Sequence, residues 1–192
     1  MTTICFTGHR PKALCGYVNE AYRGFIAAFV AALLTALNPS EEYTFISGGA
    51  QGFDQLAFWA VDAAKKTRPD FRNCVYVPFE GQSSIWAPHG TFSQAEYAAM
   101  LQNADMVKIL STKPEDNRQV PKLLTERNHR MVNDSDIVIA LYEDDNWSVA
   151  GGGTAECMRY AARNGKKIIR LPYIIVENHL MADFSGLSAL SA

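Results

Sequence analysis

The chain has 192 residues, 48% hydrophobic and 20% charged, which suits one globular domain spanning 1–192 that buries a core without disulfides. Eighteen Lys and Arg against twenty Asp and Glu leave a formal charge of −2, so no global positive field gathers nucleic acid or an anionic membrane, and neither is expected as a partner. Cys5, Cys15, Cys74 and Cys157 are widely spaced, with no C-x-x-C pair and two of them inside apolar runs, and they read as reduced core residues of a cytoplasmic protein.

No basic segment with a cleavage site opens the chain, so a secretory signal is not expected. Residues 24–37 are strongly apolar, but the run falls short of the ~20 residues of a membrane span and reads as a buried helix.

In chain order, residues 3–7 form a short apolar run of the kind found in a central parallel strand, ended by Gly8-His9-Arg10-Pro11. In open α/β sheets ligands collect beyond the carboxyl ends of the strands, so His9 and Arg10 either meet an anion or cap a Pro turn. Apolar residues at three- and four-residue spacing predict a helix over 19–37, stopped by Asn38-Pro39-Ser40.

A strand at 43–47 then breaks into Ser47-Gly48-Gly49-Ala50-Gln51-Gly52-Phe53-Asp54, and a helix is predicted over 53–66. Glycines admit close backbone approach and positive φ, and the first amides of a helix lack intrahelical partners and favour negative charge. The loop therefore suits a phosphate, although an ordinary βα turn also uses glycine to bend.

A third strand is predicted at 74–77, followed by a long connection carrying Gly81, Gln82, Trp86, Pro88 and His89. Trp86 either stacks on a ligand's ring or covers a hydrophobic edge. A helix over 94–103, a strand over 106–110 and a polar loop over 111–120 come next.

Residues 123–133 read as a helix rich in Arg and His, feeding a buried strand at 136–142. Beyond the acidic run 143–145, Gly151-Gly152-Gly153-Thr154 opens another helix, with Glu156 in its first turn. Thr154 suits a helix cap or a phosphate donor, and Glu156 alone suits the helix dipole. A sixth strand follows at 167–171, and residues 172–192 form an unassigned tail. The alternation is that of an α/β fold with a mostly parallel central sheet of about six strands. The four His are isolated, so no metal is indicated, and no cofactor is either.

Thr7-Gly8-His9-Arg10-Pro11, the segment 47–54, Gly81-Gln82 with Trp86, Glu126-Arg127-Asn128 with Met131-Val132, Ser135-Asp136 and Gly152-Gly153-Thr154 resemble, in this order, the YpsA-like members of the SLOG superfamily. That superfamily contains the DNA-processing protein DprA and the Lonely Guy phosphoribohydrolases. The resemblance implies a Rossmann-like three-layer fold with a nucleotide-type pocket. It also implies catalytic roles for Arg127, in the place of the Arg of a Glu-Arg-Lys segment, and for Glu156. The phosphoribohydrolase motif Gly-Gly-x-Gly-Thr-x-x-Glu puts its Glu on Cys157 here, and the one-residue offset turns Glu156 by about 100° on a helix.

Three readings stay open. One is a sensor or sequestering protein for an NAD-like, ADP-ribose-like or nucleoside-monophosphate ligand, held by Gly8, His9, Arg10, residues 47–52, Asp54, Arg127 and residues 151–154, with Trp86 at the base. Another is a nucleoside-monophosphate N-glycosidase using Arg127 with Glu156 or Asp54. The third is a regulatory interaction module with a vestigial pocket. Homo-oligomerisation is left open.

Overall fold

The computed structural model describes residues 1–190. Six strands, β1 (Thr2–Gly8), β2 (Tyr43–Ser47), β3 (Arg72–Val77), β4 (Met106–Ile109), β5 (Ile137–Leu141) and β6 (Lys167–Leu171), pair in the order β4-β3-β2-β1-β5-β6. Every pairing is parallel. Each crossover carries one helix: α1 (Glu20–Ala36), α2 (Phe53–Ala64), α3 (Gln94–Asn103), α4 (Val120–Asn133) and α5 (Gly153–Arg163). The strand order runs outward from β1 to β4 and then reverses to β5 and β6, so the fold has a switch point between β1 and β5.

Alternation along β1 separates the layers. Ile4 and Phe6 pack into the cluster built with α1 and α2, while Cys5 joins Met131 and Val132 of α4 and Cys157 and Ala161 of α5. On the first side Phe6 meets Phe45 face to face at 5.9 Å and the edges of Phe29 and Phe53 at 6.0 Å each. Both sheet faces are covered, which is why the strands read as continuous apolar runs. The architecture is the Rossmann-like three-layer α/β fold.

All four cysteines are buried and free, as the apolar runs around Cys5 and Cys74 lead one to expect. No helix among the described residues is long and apolar enough to cross a membrane.

Two stretches differ from the sequence expectation. α4 starts three residues before the predicted 123, because Pro121 sits in its first turn, where the missing N–H costs nothing. The tail is structured through residue 190: β7 (Tyr173–Val176) and β8 (His179–Ala182) form an antiparallel hairpin, followed by a 3-10 helix at Ser185–Leu190. Its turn uses Glu177 and Asn178 at φ 48° and 60° in place of the glycine that normally marks such a turn. The tail is fastened by Leu180 and Leu187, both buried in the α1 side of the core, and by Phe184 stacked on Phe29 at 5.3 Å. Residues 191 and 192 of the predicted tail lie outside the described residues.

Gly52 and Gly165 both hold positive φ, at 96° and 65°, but a Cβ on Gly52 would stand 2.4 Å from the His9 carbonyl oxygen while one on Gly165 would meet nothing. Gly165→Ala should therefore lose about 1–2 kcal/mol, the left-handed penalty alone, and Gly52→Ala clearly more in the same urea titration. Equal losses would show that the His9 and Gly52 segments are not in tight contact.

Candidate functional site

The carboxyl ends of β1, β2 and β5 open on a cleft of about 710 Å³ at the switch point. Its wall comes from four places: Thr7 to Arg10 and Lys12 after β1, Ala50 and Asp54 after β2, Arg127 and Asn128 of α4, and Tyr142 and Gly151 to Thr154 after β5. Residues from both glycine loops thus line a common cleft, but the two loops differ in what occupies them.

The first loop is filled from inside. Arg127 reaches from α4 across the sheet edge so closely that a Cβ on Gly48 would fall 1.2 Å from its Nη1. That nitrogen donates to Asp54 Oδ2 at 3.2 Å, and both side chains are buried. Asp54 stands in the first turn of α2, where the helix dipole favours an anion, and it also accepts from the Ala50 amide at 3.3 Å. The negative charge that this bend attracts is therefore the protein's own. Gln55 Nε2 donates to the Gly49 carbonyl at 3.2 Å, and the Phe53 amide donates to the His9 carbonyl at 3.1 Å. Ser47 is buried beneath, and Gln51 turns aside to donate to the Phe92 carbonyl at 2.7 Å.

The second loop is open. Gly152 starts α5 at φ 97° with no side chain capping it, and added Cβ atoms on Gly151, Gly152 and Gly153 would meet no atom within 4 Å. Gly153 and Thr154 of this 11-residue helix line the cleft, and the first amides of a helix have no intrahelical acceptors.

In the same cleft lining Arg10 and Lys12 join Arg127 to give three basic side chains against the single carboxylate of Asp54. Arg127 meets Asp54 through one nitrogen, and its buried Nε has no hydrogen-bond partner, so the pair leaves part of the guanidinium charge uncompensated. Arg10 is exposed at the rim, yet the cleft wall crowds its guanidinium. Desolvation lowers its pKa, the Asp54 charge opposes that, and Arg127 adds to it. An arginine stays protonated across ordinary pH all the same. His9 is clamped by Tyr142, stacked at 4.8 Å, and its Nε2 lies 2.6 Å from Glu143 Oε2.

Seven predicted residues do not line the cleft: Ser47, Gly48, Gly49, Gln51 and Gly52 of the first loop, Trp86 and Glu156. Glu156 points away from the cleft lining and is held by His129 Nε2 at 3.1 Å and Arg163 Nη2 at 3.6 Å. Cys157, in the register of the phosphoribohydrolase Glu, is buried next to Thr7; burial pushes its thiol up to about 12, against the hydrogen bond from Thr7 and the charge of Arg127. Trp86 lines a neighbouring cavity of about 240 Å³ that shares Arg10 and Leu124 with the cleft.

Sequence reasoning overlooked Lys12, Tyr142 and the α4 stripe Pro121, Leu124, Thr125 and Asn128. Part of the stripe was readable: Leu124, Thr125 and Asn128 recur at three- and four-residue spacing on the helix predicted over 123–133, whereas Pro121 lies before that predicted start.

The family profile YpsA, described as the YspA SLOG family, matches residues 4–174. The chain belongs to this family. The SPbeta prophage-derived protein YoqJ of Bacillus subtilis is 30% identical to it over 157 residues, covering 76% of this chain and 84% of that protein. The UPF0398 protein ABC2016 of Shouchella clausii is 29% identical over 147 residues, 74% of each chain.

Among solved structures, DNA processing protein A (DprA) of Streptococcus pneumoniae superposes with a TM-score of 0.55 at 12% identity, over 99% of this chain and 56% of that one. DNA processing protein A of Helicobacter pylori, known in its single-stranded DNA binding mode, superposes with a TM-score of 0.52 at 17% identity, over 93% and 68%. At these identities the likeness is one of fold.

The last comparison corrects the expectation that nucleic acid is not a partner. A protein of this fold binds single-stranded DNA, so the fold does not exclude it. Nor does a net charge of −2, which sums the whole surface, whereas a bound strand feels the field within a Debye length of about 8–10 Å.

Arg127→Met should leave Asp54 buried and unpaired and cost about 3–5 kcal/mol in urea unfolding, with Arg127→Met/Asp54→Leu recovering at least half. A loss below ~1 kcal/mol for the single variant would show that the pair does not secure the loop.

Proposed function

We propose that this protein binds a small phosphate-bearing, nucleotide-type ligand in the switch-point cleft, as a sensor or sequestering protein. The observation that carries the proposal is that the uncapped amino end of α5 lines one cleft with Arg10 and Lys12, while the other glycine loop is already neutralised by Asp54. In this reading the Gly153 and Thr154 amides donate to the phosphate at the positive end of the helix dipole. Arg10 and Lys12 neutralise it from the opposite wall, and Arg127 raises the potential of the floor. An ADP-ribose-like, NAD-like or nucleoside-monophosphate ligand suits the cleft, whose volume is in the range of small-molecule sites.

Binding is preferred to N-glycoside hydrolysis because of where the carboxylates stand. Glu156 is engaged by His129 and Arg163 outside the cleft lining, and Asp54, the carboxylate within it, is committed to Arg127. Neither is free to stabilise a developing oxocarbenium centre.

The test is thermal unfolding with AMP, ADP-ribose, NAD, inorganic pyrophosphate and a short single-stranded oligonucleotide. At a concentration of about 100 times Kd, a specific ligand adds about 2.7 kcal/mol, or roughly 5–10 °C in Tm for a chain of this size. Arg10→Ala should weaken that ligand by about 10-fold or more, the worth of a charge-assisted hydrogen bond. No shift with any small ligand would sink the proposal, and a shift with the oligonucleotide alone would redirect it to a strand.

A further inference from the structure

The cavity beside the cleft has a different chemistry. Its wall carries Phe79, Trp86 and Leu124 with Gln82, Asn117 and Lys113, and it adjoins the cleft across Arg10 and Leu124. The cleft gathers Arg10, Lys12, Arg127 and Asp54; the cavity next door sets an aromatic ring and two amide groups beside Lys113 and the shared Arg10.

The slot is built in advance of any ligand. Trp86 is half-buried, with its ring packed edge-on against Tyr97 at 5.1 Å. The Tyr97 hydroxyl donates to Gln82 Oε1 at 3.1 Å, which occupies the carbonyl end of that buried amide and leaves its NH₂ as the donor for the cavity. The carboxyl end of the same connection is fixed by Phe92, held at φ 56° with its ring edge-on to Tyr22 at 5.2 Å, its carbonyl accepting from Gln51 and its amide bonded to the Glu96 carboxylate. A bulky residue keeps positive φ only where its surroundings over-determine it.

We propose that this cavity is a base-recognition subsite: the ligand is a nucleotide whose aromatic base stacks on Trp86 and offers an acceptor edge to the Gln82 amide, while Arg10, on the shared wall, contacts the sugar-phosphate that joins the two spaces. The proposal rests on phosphate binding in the cleft and adds the base to it. An indole face suits any base by stacking, and a positioned amide donor selects among their edges because a buried donor without a partner is costly.

The experiment separates the two claims. Calorimetric titration of the wild-type protein, Trp86→Ala and Trp86→Phe uses ribose 5-phosphate and each of AMP, GMP, CMP and UMP. At least one nucleotide should bind the wild type about 10-fold or more tightly than ribose 5-phosphate. Trp86→Ala should erase that preference and leave ribose 5-phosphate affinity unchanged, and Trp86→Phe, which keeps an aromatic face, should retain most of it. The subsite is overturned if ribose 5-phosphate binds as well as every nucleotide, or if Trp86→Ala leaves the preference intact; phosphate binding in the cleft survives either result. Failure of all five compounds on folded wild-type protein would overturn the subsite, and phosphate binding in the cleft with it if ADP-ribose, NAD and pyrophosphate also leave Tm unchanged.

Discussion

One buried ion pair sets the geometry of the cleft. Arg127 comes from α4 on one face of the sheet and Asp54 from the start of α2 on the other, and their meeting at 3.2 Å ties the two helical layers together over the carboxyl edge of the strands. The arrangement needs a glycine at position 48, where any side chain would collide with the guanidinium. It needs Asp54 in the first turn of α2, where the dipole offsets part of the cost of burying a carboxylate. α4 is anchored at its far end as well: Asp134 accepts from Arg130 Nε and Tyr76 OH at 2.8 Å each and from Lys108 Nζ at 3.1 Å, which joins the end of the helix to β3 and β4.

From this constraint follows a division of labour between two loops that look alike in sequence. The loop after β2 spends its glycines and its helix dipole on internal contacts. The loop after β5 keeps its glycines open and its helix uncapped. Two βα loops at one switch point thus have opposite roles, one building the floor and one facing whatever enters. Arg10 and Lys12, just beyond β1, complete a cleft whose charge is local and positive although the whole chain is slightly negative.

Much of this was legible in the residues. The apolar runs of β1, β5 and β6 and the helical spacing of α1 identify the elements because both sheet faces are covered and the periodicities are clean. The two glycine segments and Arg127 point to the sheet edge for the same reason. What stayed hidden depends on contacts across the fold. Nothing local distinguishes Gly48, which makes room for Arg127, from Gly153, which faces open space. The one-residue offset already turned Glu156 from the motif position, but that His129 and Arg163 hold it shows only in the fold. The tail's hairpin carries no glycine in its turn, so its signal was too weak to read. The charge argument against nucleic acid failed because it replaced a local field with a sum.

The central claim is that an incoming phosphate meets α5 and leaves the Arg127–Asp54 pair undisturbed. A crystal structure of the protein grown with AMP tests it directly. The account predicts a phosphate within hydrogen-bond distance of the Gly153 and Thr154 amides, with Asp54 still on Arg127. A phosphate seated on the Gly48 to Gly52 loop, with Asp54 displaced from its partner, would contradict it.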